Sequence, residues 1–455
     1  MNRILGLRYD AGTGSFFLTV QPGVLLADIN AALATKDFKT AGWRRNSFES
    51  LKSFSSAGAF FFPPDPTETS ASIGGMVACN ASGARSYSYG STRNYIEGLR
   101  VILSSGSLLA LKRGNFRARK RKFILKTSSS ETISGRLPDY RMPGIKNAAG
   151  YYVEDNMDLV DLFIGAEGTL GVVSEIELKL LPAPKNILGI TSFFSEEEQA
   201  LRFVRAVRGE VVSGLQAMNP VKPQVIEFFD SHALELLRRQ KGSNPAFAEK
   251  IPDLSADYHT AVSVEYHPAG AEIADKILAD LAAILEECGA DIDDTWIIEN
   301  AQDAERLKRF RHALPELVNL LIDERRKQFP GLTKLGTDMA VPDSRLEWLI
   351  KIYHSSLEKS GLEYVMFGHV GNNHIHVNIL PRNMEDFQAG REIYMDWAGQ
   401  VIRMGGTVSA EHGIGKIKRE LLREMYGPEA IESMKKLRRQ FDPFRMFNQG
   451  NLFLW

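Results

Sequence analysis

Two prolines around one alanine, Pro182-Ala183-Pro184, divide the chain into two textures. Prolines this close stop both a helix and a central strand, because each fixes φ and lacks the N–H that a ladder needs, so a domain boundary is expected here. Residues 1 to about 185 carry short β-type runs between glycine and proline clusters, with one helix expected from Leu25 to Leu33 after Gly23. Leu5 and Leu7 alternate with polar or small neighbours, Phe17-Leu18-Thr19-Val20 reads as a second strand, and Ala11-Gly12-Thr13-Gly14 as the turn between them. Beyond the prolines, strands alternate with longer amphipathic helices: Val225 to Phe229 then His232 to Arg239, Ala261 to Tyr266 then Ile273 to Cys288, and Trp296 to Ile298 then Ala304 to Asp323. That alternation predicts an α+β domain with helices on one face of an antiparallel sheet. A last segment, from about Gly405, holds a further helix expected from Pro428 to Arg439.

At 455 residues the chain has room for roughly two or three domains with a well-buried core. It is 44% hydrophobic and 24% charged with a formal net charge of -1, which argues against a polyanionic partner such as nucleic acid and against disorder. Two cysteines, Cys79 and Cys288, are too few for a disulfide framework or a thiolate metal site. They suit a reducing compartment, so the cytoplasm or the inner face of a membrane is expected. Apolar runs such as Ala59-Phe60-Phe61-Phe62 stop at Pro63-Pro64, well short of the roughly 20 residues of a spanning helix. Residues 112 to 126 form a basic run without an acidic residue, expected as a solvated surface loop or else as a patch for a membrane surface or redox partner. The first nine residues lack a signal-peptide pattern and read as the middle of a β-sheet domain.

Four blocks can carry chemistry. Pro63-Pro64-Asp65-Pro66-Thr67 is followed by Ser72-Ile73-Gly74-Gly75-Met76 and Asn80-Ala81-Ser82-Gly83. Small residues in turns let backbone N–H groups approach a large polar cofactor closely, and the pattern is not the G-x-G-x-x-G of a nicotinamide-dinucleotide fold. Gly165-Ala166-Glu167-Gly168-Thr169-Leu170-Gly171 then runs into a strand from Ile176 to Leu180, a turn that can lay amides against a flat ring. The third block, Phe367 to Asn378, holds three of the nine histidines within eight residues. His374 and His376 share one face of a strand, and the Gly371-Asn372-Asn373 turn can fold His369 back toward them, a pattern expected to bind a divalent metal. The fourth, Gly405 to Gly415, contains Glu411-His412, a carboxylate able to complete a two-His-one-carboxylate site beside an imidazole able to act as a base.

In this order the four blocks resemble the FAD-linked oxidases of the vanillyl-alcohol oxidase fold, on the branch that holds D-lactate dehydrogenases, D-2-hydroxyglutarate dehydrogenases and the D subunit of glycolate oxidase. The likeness runs from about Ile4 to Leu452. It implies an α+β, two-domain architecture: an FAD-binding domain over 1–185 with a basic insertion at about 112–145, a substrate or cap domain over 186–404, and a segment over 405–455 that returns to the flavin site. It also implies flavin contacts at Pro64, Asp65, Pro66, Thr67, Ile73, Gly74, Gly75, Asn80, Ser82, Gly83, Tyr89, Gly90, Glu167, Gly168, Thr169, Val172 and Asn448. Ala166 stands where the family has serine, and Gln449 where it has proline. The family's Gly-His-x-Gly-x-x-x-x-His pattern falls on His369 and His376, with Glu411 as third metal ligand and His374 as a neighbour. His412 takes the role of base, Arg311 clamps the substrate carboxylate, and Lys334 is a second clamp. The family's glycine-rich pyrophosphate loop lies before the strand matching Ile4 to Tyr9, where this chain has no residues, so an FAD-binding domain incomplete at its N-terminus is expected.

The implied chemistry is oxidation of a D-2-hydroxy acid to the 2-oxo acid, assisted by zinc, iron or manganese, with hydride passing to the flavin. Quinone, cytochrome, electron-transfer flavoprotein or an iron-sulfur subunit fits as the electron acceptor, and a homodimer is the expected assembly. The competing expectations are a flavin-free metal-binding protein or hydrolase built on the His369, His376 and Glu411 set, an inactive remnant, and an alkyl-transferring synthase of the same family.

Overall fold

Side chains that alternate between core and solvent build the first sheet. In Val172–Lys179, Ile176 and Leu178 are fully buried while Glu175 and Glu177 lie nearer solvent, the period-two pattern of a strand with one covered face. The computed structural model describes residues 1–212, 221–249, 251–298 and 301–455. They form two units, Met1–Ala183 with Thr407–Trp455, and Pro184–Gly406. In the first unit, five antiparallel strands run in the order Ile4–Asp10, Ser15–Val20, Val172–Lys179, Ile96–Ile102, Leu108–Lys112. The opening hairpin pairs Tyr9 with Phe16 across the Ala11–Gly14 turn. Pro182 lies in a two-stranded ribbon, Leu181–Pro182 against Phe60–Phe61, outside the larger sheet.

The helix expected from Leu25 spans Leu26–Thr35 and buries Leu26, Ile29, Ala32 and Leu33, one stripe at helical spacing. A second helix, Arg45–Ser56, left no readable mark in the sequence. It is rich in serine, and of its apolar residues Phe48, Leu51 and Phe54 only Phe54 is fully buried, so its apolar face is narrow. The basic run is the expected exposed loop only in part: residues 113–121 are mostly turns and loop, but its end is a strand. Lys122–Lys126 pairs with Thr132–Arg136 in a hairpin that buries Phe123, Leu125 and Ile133 while Lys122 and Lys126 face solvent. Arg113 grips both oxygens of Asp161 (3.0 and 2.9 Å) and Arg121 bonds Asp155 (2.7 Å). Those acids lie far along the chain, outside any local window. The C-terminal helix, Arg419–Phe441, is broken by Gly427 (φ 82°), and Pro428 opens its second half, where a missing N–H costs nothing.

The second unit is built on a seven-stranded antiparallel sheet, in the order Trp296–Ile297, Leu188–Phe194, Thr260–Tyr266, Val225–Phe229, Tyr364–His369, His374–Ile379, Leu335–Gly336. The expectation of helices on one face is corrected. Adjacent residues of a strand point to opposite faces, and here both faces find helices. Phe193 packs on Trp296, which meets Phe310 of helix Ala301–Arg326, whereas Phe194 packs on Phe203 of helix Glu197–Val207. All seven residues of Leu188–Phe194 are buried as a result. Among the described residues no helix is long and apolar enough to cross a membrane.

His354, on helix Leu346–Ser360, bonds Glu197 (2.9 Å), and that hydrogen bond raises its pKa above the ordinary histidine value. A raised folded-state pKa means the native state holds the proton more tightly, so this stabilisation is complete below the unfolded pKa and fades as pH rises through the folded one. The Tm difference between wild type and His354→Gln is therefore expected to be largest near pH 5.5 and to shrink toward pH 8.5. A difference constant over that range overturns the assignment.

Candidate functional site

The histidine block forms the hairpin its sequence predicts. Tyr364–His369 and His374–Ile379 pair antiparallel with His369 opposite His374 and Phe367 opposite His376, joined by a 3₁₀ turn, Val370–Asn372, that closes on Asn373 at φ 52°. Arg208 fastens this turn by donating to Asn373 Oδ1 (2.8 Å), while Asn373 Nδ2 donates to Asp343 (2.6 Å). The imidazole centroids lie 4.3 Å apart for His374 and His376 and 5.5 Å for each pair with His369. One ring nitrogen of each falls within 4.8 Å of the others. Gly368 makes room for this: at φ 134° a Cβ would sit 2.8 Å from His376 Cδ2, so any larger residue pushes that ring out of line.

Hydrogen bonds sort the three rings. His376 Nδ1 meets the Thr337 carbonyl at 2.9 Å, and a carbonyl only accepts, so Nδ1 carries the proton and the neutral ring keeps its lone pair on Nε2. His369 Nδ1 meets the Glu227 carboxylate at 2.7 Å with the same consequence. His374 differs: its Nε2 lies 3.2 Å from Asp338 Oδ1, and both side chains are fully buried. Two imidazoles oriented through Nδ1, each with Nε2 as its donor atom, are a donor set that fits a zinc-like divalent ion.

Arg311 lies on helix Ala301–Arg326, half-buried, with Nε buried and without a hydrogen-bond partner among the described residues. Its neighbour His312 is pushed below the ordinary histidine pKa by burial first and by Arg311 second. A partnerless buried guanidinium nitrogen is costly unless an anion completes it. Lys334 is exposed and precedes the edge strand Leu335–Gly336, which pairs with the His376 strand through Gly336 and Asn378.

In the first unit, Glu411 is buried, and one of its oxygens, Oε1, accepts from the Ser82 hydroxyl (2.7 Å) and from Lys146. Ser82 thus links the Asn80–Gly83 block to Glu411. His412, next in sequence, is exposed. Glu167 holds the same loop. Its buried carboxylate accepts from the amides of Ile414 (2.6 Å) and Gly415 (2.9 Å) and from Asn451 Nδ2 (3.2 Å). Burial lifts its pKa above the usual carboxylate range, against the lowering effect of those amides. Gly413 (φ 73°) permits the contact, since a Cβ there would lie 2.6 Å from Glu167 Oε1. Asn448 Nδ2 donates to the Glu167 carbonyl (2.6 Å), so both Asn448 and Asn451 brace this turn. Burial and the charge of Glu167 push the Cys79 thiol up to about 11, which removes it as a nucleophile at neutral pH.

The glycine blocks meet at a cavity of about 390 Å³ within the first unit, lined among others by Gly74, Gly75, Ala166, Gly168 and Val172. The expectation that Ser72 to Met76 is a turn offering its amides is corrected. Ser72 caps a helix, Ile73–Cys79, and the amides of Ile73, Gly74 and Gly75 donate to Val24 O, Pro22 O and Ser72 Oγ. Ile73 is a core side chain with no exposure, and the buried Thr169 hydroxyl donates to Ala166 O while lying 2.8 Å from the Tyr151 hydroxyl. Asn80 ends that helix at φ 51° and accepts the Arg93 amide. Pro64 is buried, Asp65 accepts the Arg85 amide (3.0 Å) and packs on Gly83, and Pro66 and Thr67 continue outward. Tyr89 and Gly90 close the short helix Ser86–Tyr89, with the Tyr89 carbonyl accepting from Tyr95. Two residues had escaped notice. Glu227 was legible as the one acid in the apolar run Val225–Phe229, whereas nothing around Lys146 marks it in one dimension.

The protein resembles a D-lactate dehydrogenase of Anaerostipes hadrus, 26% identical over 459 residues that take in 99% of this chain and 78% of the relative. A glycolate oxidase subunit of Bacillus subtilis is likewise 26% identical, across 100% of this chain and 78% of its own. Among solved structures, 4-ethylphenol oxidase from Gulosibacter chungangensis superposes with a TM-score of 0.59 at 16% identity, covering 100% of this chain and 79% of that one. An alkyldihydroxyacetonephosphate synthase superposes at 0.58 and 13% identity, covering 98% of this chain, which spans 65% of the synthase's length. At such identities the structures speak for the fold alone, an α+β fold of the vanillyl-alcohol oxidase type. Residues 46–112 match an FAD binding domain, and residues 184–452 match the C-terminal domain of FAD linked oxidases. Because that second match takes in more than half of the residues, the chain belongs to the FAD linked oxidases.

Proposed function

We propose that the protein oxidises a D-2-hydroxy acid, of the D-lactate, D-2-hydroxyglutarate or glycolate type, to the 2-oxo acid, with FAD as oxidant and a divalent metal as Lewis acid. One observation carries most of this: His369 and His376 are both tied through Nδ1, which makes Nε2 the donor atom of each ring. The motif adds Glu411 as third ligand, a set that keeps coordination positions for substrate oxygens. FAD when bound supplies the hydride acceptor, and the metal when bound polarises the hydroxyl and carboxylate oxygens.

The remaining work falls to side chains. Arg311 takes the substrate carboxylate in a two-donor fork, a role supported by its buried Nε, which has no hydrogen-bond partner among the described residues, and Lys334 adds a second positive charge. His412, exposed beside Glu411, takes the hydroxyl proton as general base. Pro64, Asp65, Pro66, Thr67, Gly74, Gly75, Gly83, Tyr89, Gly90, Gly168, Val172 and Asn448 are proposed around the flavin. Reoxidation then falls to an acceptor such as a quinone, a cytochrome, an electron-transfer flavoprotein or an iron-sulfur subunit.

The test is spectroscopic. Purified protein reconstituted with FAD and metal is mixed anaerobically with D-lactate, D-2-hydroxyglutarate or glycolate, and the flavin band is followed. Bleaching by at least one acid, slowed after chelation, is expected. Flavin-loaded protein that none of these acids reduces overturns the proposal.

A further inference from the structure

We infer that Glu227 is a positioning residue of the metal centre, acting through His369; this rests on the metal reading above. Glu227 lies on strand Val225–Phe229, which pairs with the histidine strand through Phe228 opposite Gly368 and Phe229 opposite Phe367. One step further in that register brings Glu227 beside His369. All five residues of the strand are buried, and Glu227, 6% exposed, is its only charged side chain. A carboxylate in such a place carries a desolvation cost that a valine or threonine, better suited to a buried strand, avoids. What it gains is a bond of 2.7 Å to His369 Nδ1.

That bond does two things a neutral core residue cannot. A carboxylate accepts only, so it selects the Nδ1–H tautomer and turns the Nε2 lone pair toward the neighbouring imidazoles. Its negative charge also makes the ring a stronger donor, the usual function of a carboxylate behind a metal-binding histidine. His376 relies on a backbone carbonyl for the same orientation, so Glu227 is the partner a side-chain substitution can remove.

The experiment uses the full chain, reconstituted with FAD, stripped of metal and titrated with zinc(II) against a chromophoric chelator. Glu227→Gln and Glu227→Ala are expected to weaken zinc binding about 10- to 100-fold, with Glu227→Asp in between. In a His369→Ala background the Glu227→Gln change is expected to make less than about a twofold difference, because the ring it acts on is gone. A folded Glu227→Gln protein with wild-type zinc affinity overturns the inference while leaving the metal reading intact. So does an equal loss in the His369→Ala background, which would mean Glu227 acts elsewhere. Wild-type protein that takes up no zinc, iron(II) or manganese(II) overturns both. Should the Glu227 variants fail to fold, nitrogen-15 spectra of the metal-free wild type decide: His369 is expected as the Nδ1–H tautomer, and Nε2–H overturns the inference.

Discussion

His376→Ala is expected to abolish stoichiometric metal uptake and to lower kcat/KM by about a thousandfold or more. Lewis-acid polarisation of a substrate oxygen contributes several kcal/mol, and at about 1.4 kcal/mol per tenfold a loss near 4 kcal/mol is three decades in rate. Fold damage should be small. The His376 ring is only partly buried and is anchored on the Thr337 carbonyl, and the hairpin around it is held by backbone pairing and by Arg208 on Asn373. His374→Ala makes the informative contrast. That side chain has no exposure and lies against the equally buried Asp338, so its removal opens a cavity beside a buried carboxylate and is expected to cost stability before it costs metal. Metal analysis and thermal melts of the two variants, side by side, separate ligand from scaffold. If His376→Ala keeps a full equivalent of metal, the ligand assignment fails.

The second large effect is expected from Glu167→Ala. Its carboxylate receives the amides of Ile414 and Gly415, and an alanine leaves both without that acceptor, the first at a buried place and the second at a half-buried one. Each orphaned donor costs about 1–3 kcal/mol, partly offset because an ionised carboxylate no longer has to be buried. A net loss of about 2–4 kcal/mol follows, or roughly 5–15 °C in the Tm of that unit. The loop from Gly413 to Lys418 should also become an early site of proteolysis, since Glu167 is what clasps it. Glu167→Gln retains one acceptor oxygen and is expected to fall between. An unchanged melting curve for Glu167→Ala refutes the clasp.

Much of the site was legible in one dimension because its parts are local. Two histidines two residues apart on a strand share a face whatever else the chain does, and a glycine-asparagine turn returns a third. The same locality hid other features. The strand that ends the basic run, Lys122–Lys126, was missed, and so were the ion pairs of Arg113 and Arg121, because their acids, Asp161 and Asp155, are distant in sequence. The Gly74-Gly75 pair looked like a turn because glycine disfavours helices, yet Ser72 caps a helix there and Pro22 accepts the Gly74 amide. The serine-rich helix from Arg45 offered only a narrow apolar face, Phe48, Leu51 and Phe54 among polar residues.

From its residue order alone, this protein determined the break at Pro182-Ala183-Pro184, the imidazole hairpin and the glycine-rich turn from Gly165 to Gly171, all consequences of covalent geometry and of spacing within a few residues. Only the tertiary structure decided which ring nitrogen meets an acceptor and which carboxylate clasps a loop. Those choices depend on partners such as Glu227 for His369, 142 residues away, and Ser82 for Glu411, 329 residues away. The physical reason is that a hydrogen bond is selective over a few tenths of an ångström, and distances that small between remote segments exist only once the core has packed.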